Sequence, residues 1–228
     1  MVLLKNESNV LPLKKDKNVT VVGSGANNLG MQNGGWTVEW QGRSTPDFKV
    51  LDNNNDGKLY FPEVNSYFKN AYDAKYDKGS VEGFFKSLDK DSNGEIDTDE
   101  FKQAIMESPY QPDGTSILKA IEKTSDDKEL ITYDPRAESI SKGDIIVAVV
   151  GENPYTEGVG DNPTIGLSSF DAAVLEKCYE SGNKLVVVIL SGRPLIIKDH
   201  VNKTGYNFLR SKTPFKKRET FPQPSISF

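Results

Sequence analysis

The sequence predicts an α/β fold, a partial parallel-sheet α/β sandwich that is interrupted by an all-α segment of two helix–loop–helix units. Continuous apolar runs at 144–151 and 184–192 suit parallel strands that are covered on both faces. The stretch 167–182 between them has the pattern of a helix, and a β–α–β order implies a right-handed crossover. Between 45 and 108, apolar residues recur at helical spacing around two loops rich in Asp, Asn and Gly.

The amino-terminal region, 1–44, supplies the first buried strand of this sheet. "NVTVVGSGA" at 18–26 is a β-branched run that ends in glycines, which indicates a buried strand entering a turn. The segment "GGWTVEWQG" follows it and carries both tryptophans of the chain, Trp36 and Trp40. The glycines after the strand suggest a dinucleotide-binding turn, but the third glycine of that motif is replaced by Asn28, so a tight turn is the better interpretation.

The region after the helical segment returns to the α/β pattern. "GTSILKAIEK" at 114–123 predicts an amphipathic helix with Thr115 as its N-cap. A short strand is expected at 129–133, and Gly182 is expected to end the helix that connects the two long strands. The sequence therefore predicts three units. Residues 1–44 and 109–197 form a discontinuous and incomplete α/β domain, residues 45–108 form a helical insert, and residues 198–228 form a divergent, loose tail.

Composition and charge exclude several classes of function. The net charge is −5, yet residues 47–107 carry 14 Asp and Glu against 8 Lys, so the acidity belongs to the insert. No basic surface of the size that nucleic acid needs is expected, and no apolar run approaches the ~18 residues of a membrane span. We expect no signal peptide at the start of the chain. The single cysteine, Cys178, and the single histidine, His200, argue against disulfides, Cys-based zinc sites and Ser-His-Asp triads.

The loop 89–100, "DKDSNGEIDTDE", has the oxygen-bearing residues that a calcium ion requires. Calcium takes roughly six to eight oxygen ligands, which a loop of this length supplies from positions 1, 3, 5, 7, 9 and 12. Gly94 occupies position 6, where the backbone turns sharply, and Ile96 at position 8 can pair with a partner loop. The candidate ligands are Asp89, Asp91, Asn93, the carbonyl of Glu95, Asp97 and Glu100.

The loop 52–63 follows the same template. Gly57 and Leu59 occupy positions 6 and 8. The helix that enters this loop is expected to start with Thr45 as N-cap and Pro46 at the first helical position. The candidate ligands are Asp52, Asn54, Asp56, the carbonyl of Lys58, Tyr60 and Glu63.

Together the two loops resemble an EF-hand pair of the calmodulin type. They start 37 residues apart, a separation that allows two such units to pair. The resemblance implies calcium as the cofactor. Loop 89–100 offers four side-chain carboxylates and loop 52–63 offers three, so we expect the later loop to bind calcium more tightly.

The sequence on either side of the insert resembles the C-terminal α/β-sandwich domain of glycoside hydrolase family 3, the β-glucosidase and exo-glucanase type. The resemblance rests on "VLLKNESNVLPL", "NVTVVGSGANN", "GGWTVEW", "GENPYTEGVGDN" and "VVVILSGRPLII", which occur in this order. It implies a β-glucoside or oligosaccharide as substrate and retaining hydrolysis by two carboxylates. By motif position, Glu157 matches the acid/base, and Trp40 and Trp36 match the aromatic residues that stack on a bound sugar.

The resemblance also implies an Asp nucleophile on a barrel domain that precedes this region in the family. We expect this barrel to be missing from the chain and the isolated chain to be inactive. Two hypotheses stay open: a fragment that supplies the acid/base and sugar-stacking side of a glycosidase site, or a non-catalytic calcium-binding protein on a hydrolase scaffold. A coupling between calcium and sugar is a third, because Trp40 lies only 12 residues before Asp52.

Overall fold

A six-stranded sheet forms the centre of the molecule. The structure is a computed structural model, and it describes residues 2–6, 10–108, 114–203 and 206–212. The strand order is β1-β8-β7-β6-β2-β5, in which β1 is antiparallel to β8 and the other neighbours are parallel. The strands are β1 Val2–Lys5, β2 Val19–Val22, β5 Ile131–Tyr133, β6 Ile145–Gly151, β7 Lys184–Ser191 and β8 Tyr206–Lys212; β3 Lys58–Tyr60 and β4 Glu95–Asp97 form a separate pair.

Helices cover the sheet and form the insert. They are α1 Leu29–Asn33, α2 Phe48–Leu51, α3 Phe61–Tyr72, α4 Lys78–Leu88, α5 Thr98–Glu107, α6 Ile117–Thr124, α7 Ser169–Glu180 and α8 Lys198–Val201. Short 3₁₀ helices occupy Asp73–Lys75, Lys128–Leu130 and Glu157–Gly160. Within the described ranges, no helix is both long enough and apolar enough to cross a membrane.

The two long apolar runs are the central parallel strands, as the sequence predicts. Successive residues of β6 and β7 point to opposite faces of the sheet and are buried on both. One face packs against α7 through Val174, Leu175 and Cys178, and the other packs against α6 through Leu118 and Ile121. Each such side chain contributes ~1.5–3 kcal/mol by leaving water, so the two layers of helices stabilise the sheet from both sides.

Two predicted helix starts are wrong by one or two residues. The first helix of the insert is capped by Asp47, whose carboxylate accepts from the N–H of Lys49 at 3.0 Å, and not by Thr45. Asp47 is also a favourable N-cap residue, and its hydrogen bond to Lys49 starts the helix at Phe48, beyond Pro46. Helix α6 is capped by the buried Ser116, whose hydroxyl accepts from the N–H of Lys119 at 3.2 Å, and not by the exposed Thr115.

The expectation of a loose tail over 198–228 is wrong where the structure describes that range. Helix α8 and strand β8 lie in it, and β8 pairs with β7 on one side and β1 on the other. Backbone pairing on both edges stabilises a strand without a strong apolar pattern, so the sequence gives little sign of it. Residues 213–228 lie outside the described residues. With β1 and β8, the sheet is also larger than the partial sheet that the sequence predicts.

The insert consists of two helix–loop–helix units that meet through a short ladder. Strands β3 and β4 are antiparallel and pair Leu59 with Ile96, both fully buried, as expected from position 8 of each loop. The predicted all-α segment therefore contains a two-stranded sheet. The aromatic rings of Phe48 and Phe101 pack edge to face with centroids 5.4 Å apart, which joins the first helix to the last.

The insert shares its hydrophobic core with the α/β domain and is not a separate unit. Tyr67 of α3 packs edge to face on Phe170 of α7, with ring centroids 5.0 Å apart. The Arg136 guanidinium lies 5.5 Å from the Phe170 ring centroid and donates to the carbonyl of Val50 at 2.9 Å. A single cluster of buried side chains continues from the insert into β6 and β7.

Amide side chains of helix α1 and the preceding turn hold both ends of the insert. The Asn27 amide donates to the Asp47 carboxylate at 2.7 Å, and the Asn28 amide donates to the Ser44 hydroxyl at 2.8 Å. At the other end, the side-chain oxygen of Gln32 accepts from the N–H of Ile117 at 3.1 Å. One short element of the α/β domain therefore fixes the entry and the exit of the inserted chain.

We expect Tyr67 and Phe170 to be energetically coupled. In a double-mutant cycle with Tyr67→Leu and Phe170→Leu, the coupling free energy should be about 0.5–1.5 kcal/mol, because an edge-to-face pair contributes beyond its buried area. Urea unfolding of the four proteins measures it. Leu118→Ala, on the opposite face of the sheet, serves as the control partner and should add independently to Tyr67→Leu. Strict additivity of Tyr67 and Phe170 would contradict a shared core.

Candidate functional site

The two acidic loops have the same backbone turn. Each passes through the left-handed region at its fourth and sixth positions. In the first loop these are Asn55, with φ of 58°, and Gly57, with φ of 82°. In the second loop they are Ser92, with φ of 60°, and Gly94, with φ of 89°. Glycine adopts this region without steric cost, which explains its place at position 6. The conformation folds each loop back on itself, so that its side-chain oxygens face its own centre.

The same hydrogen bonds close both loops. The first carboxylate accepts from the sixth N–H, Asp52 from Gly57 at 3.0 Å and Asp89 from Gly94 at 3.1 Å. The last carboxylate accepts from the second N–H: Glu63 Oε1 from Asn53 at 2.9 Å, and Glu100 Oε1 from Lys90 at 3.0 Å. These bonds orient the first and twelfth carboxylates toward one another across each loop.

In the second loop, three carboxylates come together. Oxygen atoms of Asp89, Asp91 and Glu100 all lie within 4.8 Å of one another. Like charges at this separation repel, and a divalent cation removes the repulsion. Asp97, the expected ligand at position 9, is the N-cap of α5 and accepts from the N–H of Asp99 and of Glu100, both at 2.8 Å.

In the first loop, a buried carboxylate oxygen has no partner among the described residues. Asp52 is only 5% exposed, and its Oδ1 is buried without a hydrogen bond there, while Oδ2 accepts from Gly57. An unpaired buried carboxylate oxygen is costly. A cation held at the centre of the loop would satisfy it, so the donor set of this loop fits calcium.

Tyr60 differs from its expected role as a ligand of the first loop. Its hydroxyl donates to Glu95 Oε2 at 3.2 Å, and the Lys58 ammonium bonds to the other oxygen of the same carboxylate. The side chain of Tyr60 is therefore engaged with the opposite loop. The side chains of the first loop that carry free oxygen donors at the template positions are then Asp52, Asn54, Asp56 and Glu63.

A second candidate site lies at the carboxyl edge of the sheet. A cavity of about 100 Å³ is lined by Trp36 and Glu157 together with Glu152, Thr156 and Ser191. Strands β6 and β7 are parallel and end side by side at this edge, where open α/β sheets bind their ligands. The cavity thus brings together Trp36 and Glu157, two residues that the sequence places in one sugar site.

Close backbone contacts fix the tryptophan loop on the segment that carries Glu157. A Cβ at Gly35 would lie 2.2 Å from the Tyr155 carbonyl oxygen, and one at Gly42 would lie 2.6 Å from Pro154 Cβ. The Gln41 side-chain oxygen accepts from the N–H of Thr156 at 3.0 Å. Only glycines allow this approach, which explains why they flank the two tryptophans.

The two tryptophans form an exposed pair. Their ring centroids are 5.8 Å apart at an interplanar angle of 72°, and each side chain is 50% exposed. Trp36 lines the cavity, whereas Trp40 does not line it and contacts the ring of Trp36 instead. Half of the surface of Trp40 is in solvent, so it is not a core aromatic residue.

Glu152 and Arg193 belong to this site and were not singled out in the sequence. Arg193 Nε and Nη2 donate to Glu152 Oε1 at 2.9 and 2.7 Å, and the Ser191 hydroxyl donates to Glu152 Oε2 at 2.7 Å. The Arg193 guanidinium also lies 4.5 Å from the Tyr155 ring centroid. Only their position in the sequence pointed to them: each directly follows the end of a predicted parallel strand, where functional side chains collect.

A buried acid lies beneath the same edge. Asp171 is fully buried in α7 and accepts from Ser24 N–H at 3.2 Å, the Ser24 hydroxyl at 2.9 Å and Gly151 N–H at 3.0 Å. Burial raises the pKa of the Asp171 carboxyl to about 6, and the three donors oppose this shift. Asp171 thereby ties the ends of β2 and β6 to the helix that packs against the insert.

Comparison with known proteins relates most of the chain to one family. A family model described as the glycosyl hydrolase family 3 C-terminal domain matches residues 1–206. A curated protein, the lysosomal beta glucosidase of Dictyostelium discoideum, is 24% identical over 198 residues, which make up 86% of this chain and 18% of that protein. The chain therefore spans less than a fifth of the length of this relative.

The solved structures agree on the fold. The exo-1,3/1,4-beta-glucanase from a Pseudoalteromonas species superposes with a TM-score of 0.54 at 24% identity, over 91% of this chain and 18% of that one. A mutant of the same enzyme gives a TM-score of 0.53 at 27% identity, over 91% and 24% of the two chains. Both share the mixed α/β architecture with a parallel sheet.

The Asp171 carboxyl should make stability depend on pH. Because its pKa is raised in the folded state, its contribution is present in full below the unfolded pKa of about 4 and is lost as the pH rises through about 6. Between these limits, the unfolding free energy of the wild type should fall by about 3 kcal/mol relative to Asp171→Asn, which cannot titrate. Chemical unfolding at a series of pH values measures this difference. A constant difference would contradict the raised pKa.

Proposed function

The chain belongs to the family of glycosyl hydrolase family 3 C-terminal domains, and on that premise we propose that its insert, 45–108, is an EF-hand pair that binds calcium. One observation carries the proposal: the two loops repeat the same turn and the same hydrogen bonds at equivalent positions. In one loop these place three carboxylates within 4.8 Å, and in the other they leave a buried carboxylate oxygen of Asp52 without a partner among the described residues.

The donor sets favour calcium over smaller divalent cations. Calcium accepts roughly six to eight oxygens in a flexible geometry, whereas magnesium demands a near-octahedral set and keeps several waters. Each loop offers carboxylate, amide and carbonyl oxygens at alternate positions along a flexible turn. The proposed ligands are Asp52, Asn54, Asp56, the carbonyl of Lys58 and Glu63 in one loop, and Asp89, Asp91, Asn93, the carbonyl of Glu95, Asp97 and Glu100 in the other.

We expect the second loop to bind calcium more tightly than the first. It offers four carboxylates against three, and the position-9 side chain of the first loop, Tyr60, is engaged with Glu95. In calorimetric titrations, Glu100→Gln should remove the tighter site and Glu63→Gln the weaker one, each lowering affinity by at least ~10-fold. Glu82→Gln, outside both loops, is the charge-matched control. A larger loss from Glu63→Gln would overturn the ranking, and absence of calcium binding by the wild type would overturn the proposal.

A second function is favoured by the cavity at the carboxyl edge of the sheet. We propose that Trp36 and Trp40 hold a sugar ring of a β-glucoside and that Glu157 is the acid/base. The relatives named as a beta glucosidase and an exo-1,3/1,4-beta-glucanase suggest this substrate class. Thr156 lines the same cavity, and its Oγ1 is buried with no hydrogen-bond partner among the described residues.

Retaining hydrolysis needs a second carboxylate about 5–5.5 Å from the first. Glu152 is held in an ion pair with Arg193 and a hydrogen bond from Ser191, so it is poorly suited to attack a sugar. We therefore propose that the nucleophile comes from a barrel domain outside these residues. The alternative, a non-catalytic calcium-binding protein on a hydrolase scaffold, requires that the cavity bind no sugar.

We expect the chain to bind gluconolactone without hydrolysing a chromogenic β-glucoside. Trp36→Ala should weaken gluconolactone binding about tenfold, a loss of ~1.4 kcal/mol, because the ring face that contacts the sugar is removed. Calorimetry measures the affinity. Val38→Ala is the control, since Val38 lies on the same loop and is 89% exposed.

The outcomes separate the two hypotheses. No binding by the wild type would favour the non-catalytic calcium-binding protein. Hydrolysis that Glu157→Gln abolishes would contradict the external nucleophile.

A further inference from the structure

The 3₁₀ turn that carries Glu157 is held by a cation from each part of the molecule. Lys75 of the insert donates from Nζ to the carbonyl of Val159 at 2.5 Å. Arg193 of the α/β domain donates from Nη1 to the next carbonyl, that of Gly160, at 2.7 Å. Both carbonyls belong to the turn Glu157–Gly160, so the insert contacts the segment of the proposed acid/base directly.

This turn needs such support because it is short and strained. Glu157 has φ of 46°, a left-handed conformation that costs a residue with a side chain ~1–2 kcal/mol. The turn has four residues, and Glu157 and Val159 are exposed. Few buried side chains can fix such a segment, so hydrogen bonds to its carbonyls determine where the Glu157 carboxylate lies.

Lys75 is in turn fixed to the α/β domain by its neighbours. It ends the 3₁₀ helix Asp73–Lys75, which directly follows α3. The Asp73 carboxylate accepts from the N–H of Ser169 at 3.1 Å and from its hydroxyl at 2.7 Å. Together with the contact of Tyr67 on Phe170, these bonds fix the carboxyl end of α3 at the start of α7.

The other end of α3 belongs to the first calcium loop. Glu63 lies in the first turn of α3, and its Oε2 accepts from the N–H of Tyr60 at 3.1 Å, which caps the helix. An ion in this loop would bind the same carboxylate and pair with the buried Oδ1 of Asp52, which has no partner among the described residues. It would therefore stabilise the ordered state of α3 by mass action.

We propose that Lys75 is a positioning residue for Glu157, and that α3 couples calcium in loop 52–63 to sugar binding at the Trp36 cavity. The inference rests on the proposed functions of both sites. Coupling of this kind is reciprocal, so sugar binding also raises the affinity for calcium. The insert thereby regulates the acid/base side of the glycosidase site.

Amide hydrogen exchange of the peptide that covers 157–160 tests the positioning role. Lys75→Met should raise its exchange rate about three- to tenfold, as expected for loss of a charge-assisted hydrogen bond that is exposed to solvent. Lys75→Arg, which retains a donor, should restore slow exchange. Lys69→Met, which changes an exposed lysine on the preceding helix α3, should have no effect. Exchange in Lys75→Met equal to that of the wild type would overturn the proposal.

The coupling is tested by the same measurement with calcium and with a chelator. In the wild type, chelation should speed exchange of the 157–160 peptide and weaken gluconolactone binding, read from the fluorescence of Trp36 and Trp40, the two tryptophans of the chain. In Lys75→Met, neither quantity should respond to calcium.

Calcium calorimetry on the same samples separates the possible failures. Binding of calcium without any effect on exchange would refute the coupling and leave the calcium proposal intact. If calcium does not bind, the proposed calcium function fails, and the comparison of Lys75→Met with Lys75→Arg in chelator still decides the positioning role.

Discussion

The edge-to-face contact between Tyr67 and Phe170 is the constraint on which the rest of the structure depends. It joins α3 of the insert to α7, and α7 in turn covers one face of the central strands. An insert connected to the domain only through its two chain ends would leave the apolar faces of its helices exposed to water. Because α3 lies against α7 instead, the position of the two acidic loops relative to the sheet edge is fixed, and segments far apart in sequence become neighbours.

Helix α7 also holds the carboxyl edge of the sheet. Asp171 accepts hydrogen bonds from the ends of β2 and β6 and lies one residue from Phe170, so a single turn of α7 contacts both the insert and the floor of the cavity. Glu152 and Arg193 form the next layer and hold the segment that ends at Gly160. Buried polar contacts thus lie beneath the exposed residues of the candidate sugar site and restrict the positions of these residues.

Most of the architecture was predictable where one local pattern decides the outcome. The strands β6 and β7 follow from continuous apolar runs, and the turns of both loops follow from Gly57 and Gly94. The prediction failed where neighbouring residues compete, as for the helix cap at Asp47, and where pairing rather than periodicity stabilises an element, as in β8. The contact of Lys75 with Val159 could not be foreseen, because it depends on how segments far apart in the sequence pack together. The match of residues 1–206 confirms the family, whereas calcium and sugar binding stay predictions.

The amide contacts from Asn27, Asn28 and Gln32 have a consequence for how such a chain could arise. They hold the segments at both ends of the insert on one short helix and its preceding turn, so the host contributes to closing this loop. The entropy of closing a longer loop grows only slowly with its length. The position between strand β2 and helix α6 is therefore a junction that tolerates inserted segments of different length, provided that the inserted segment also covers Phe170 of α7.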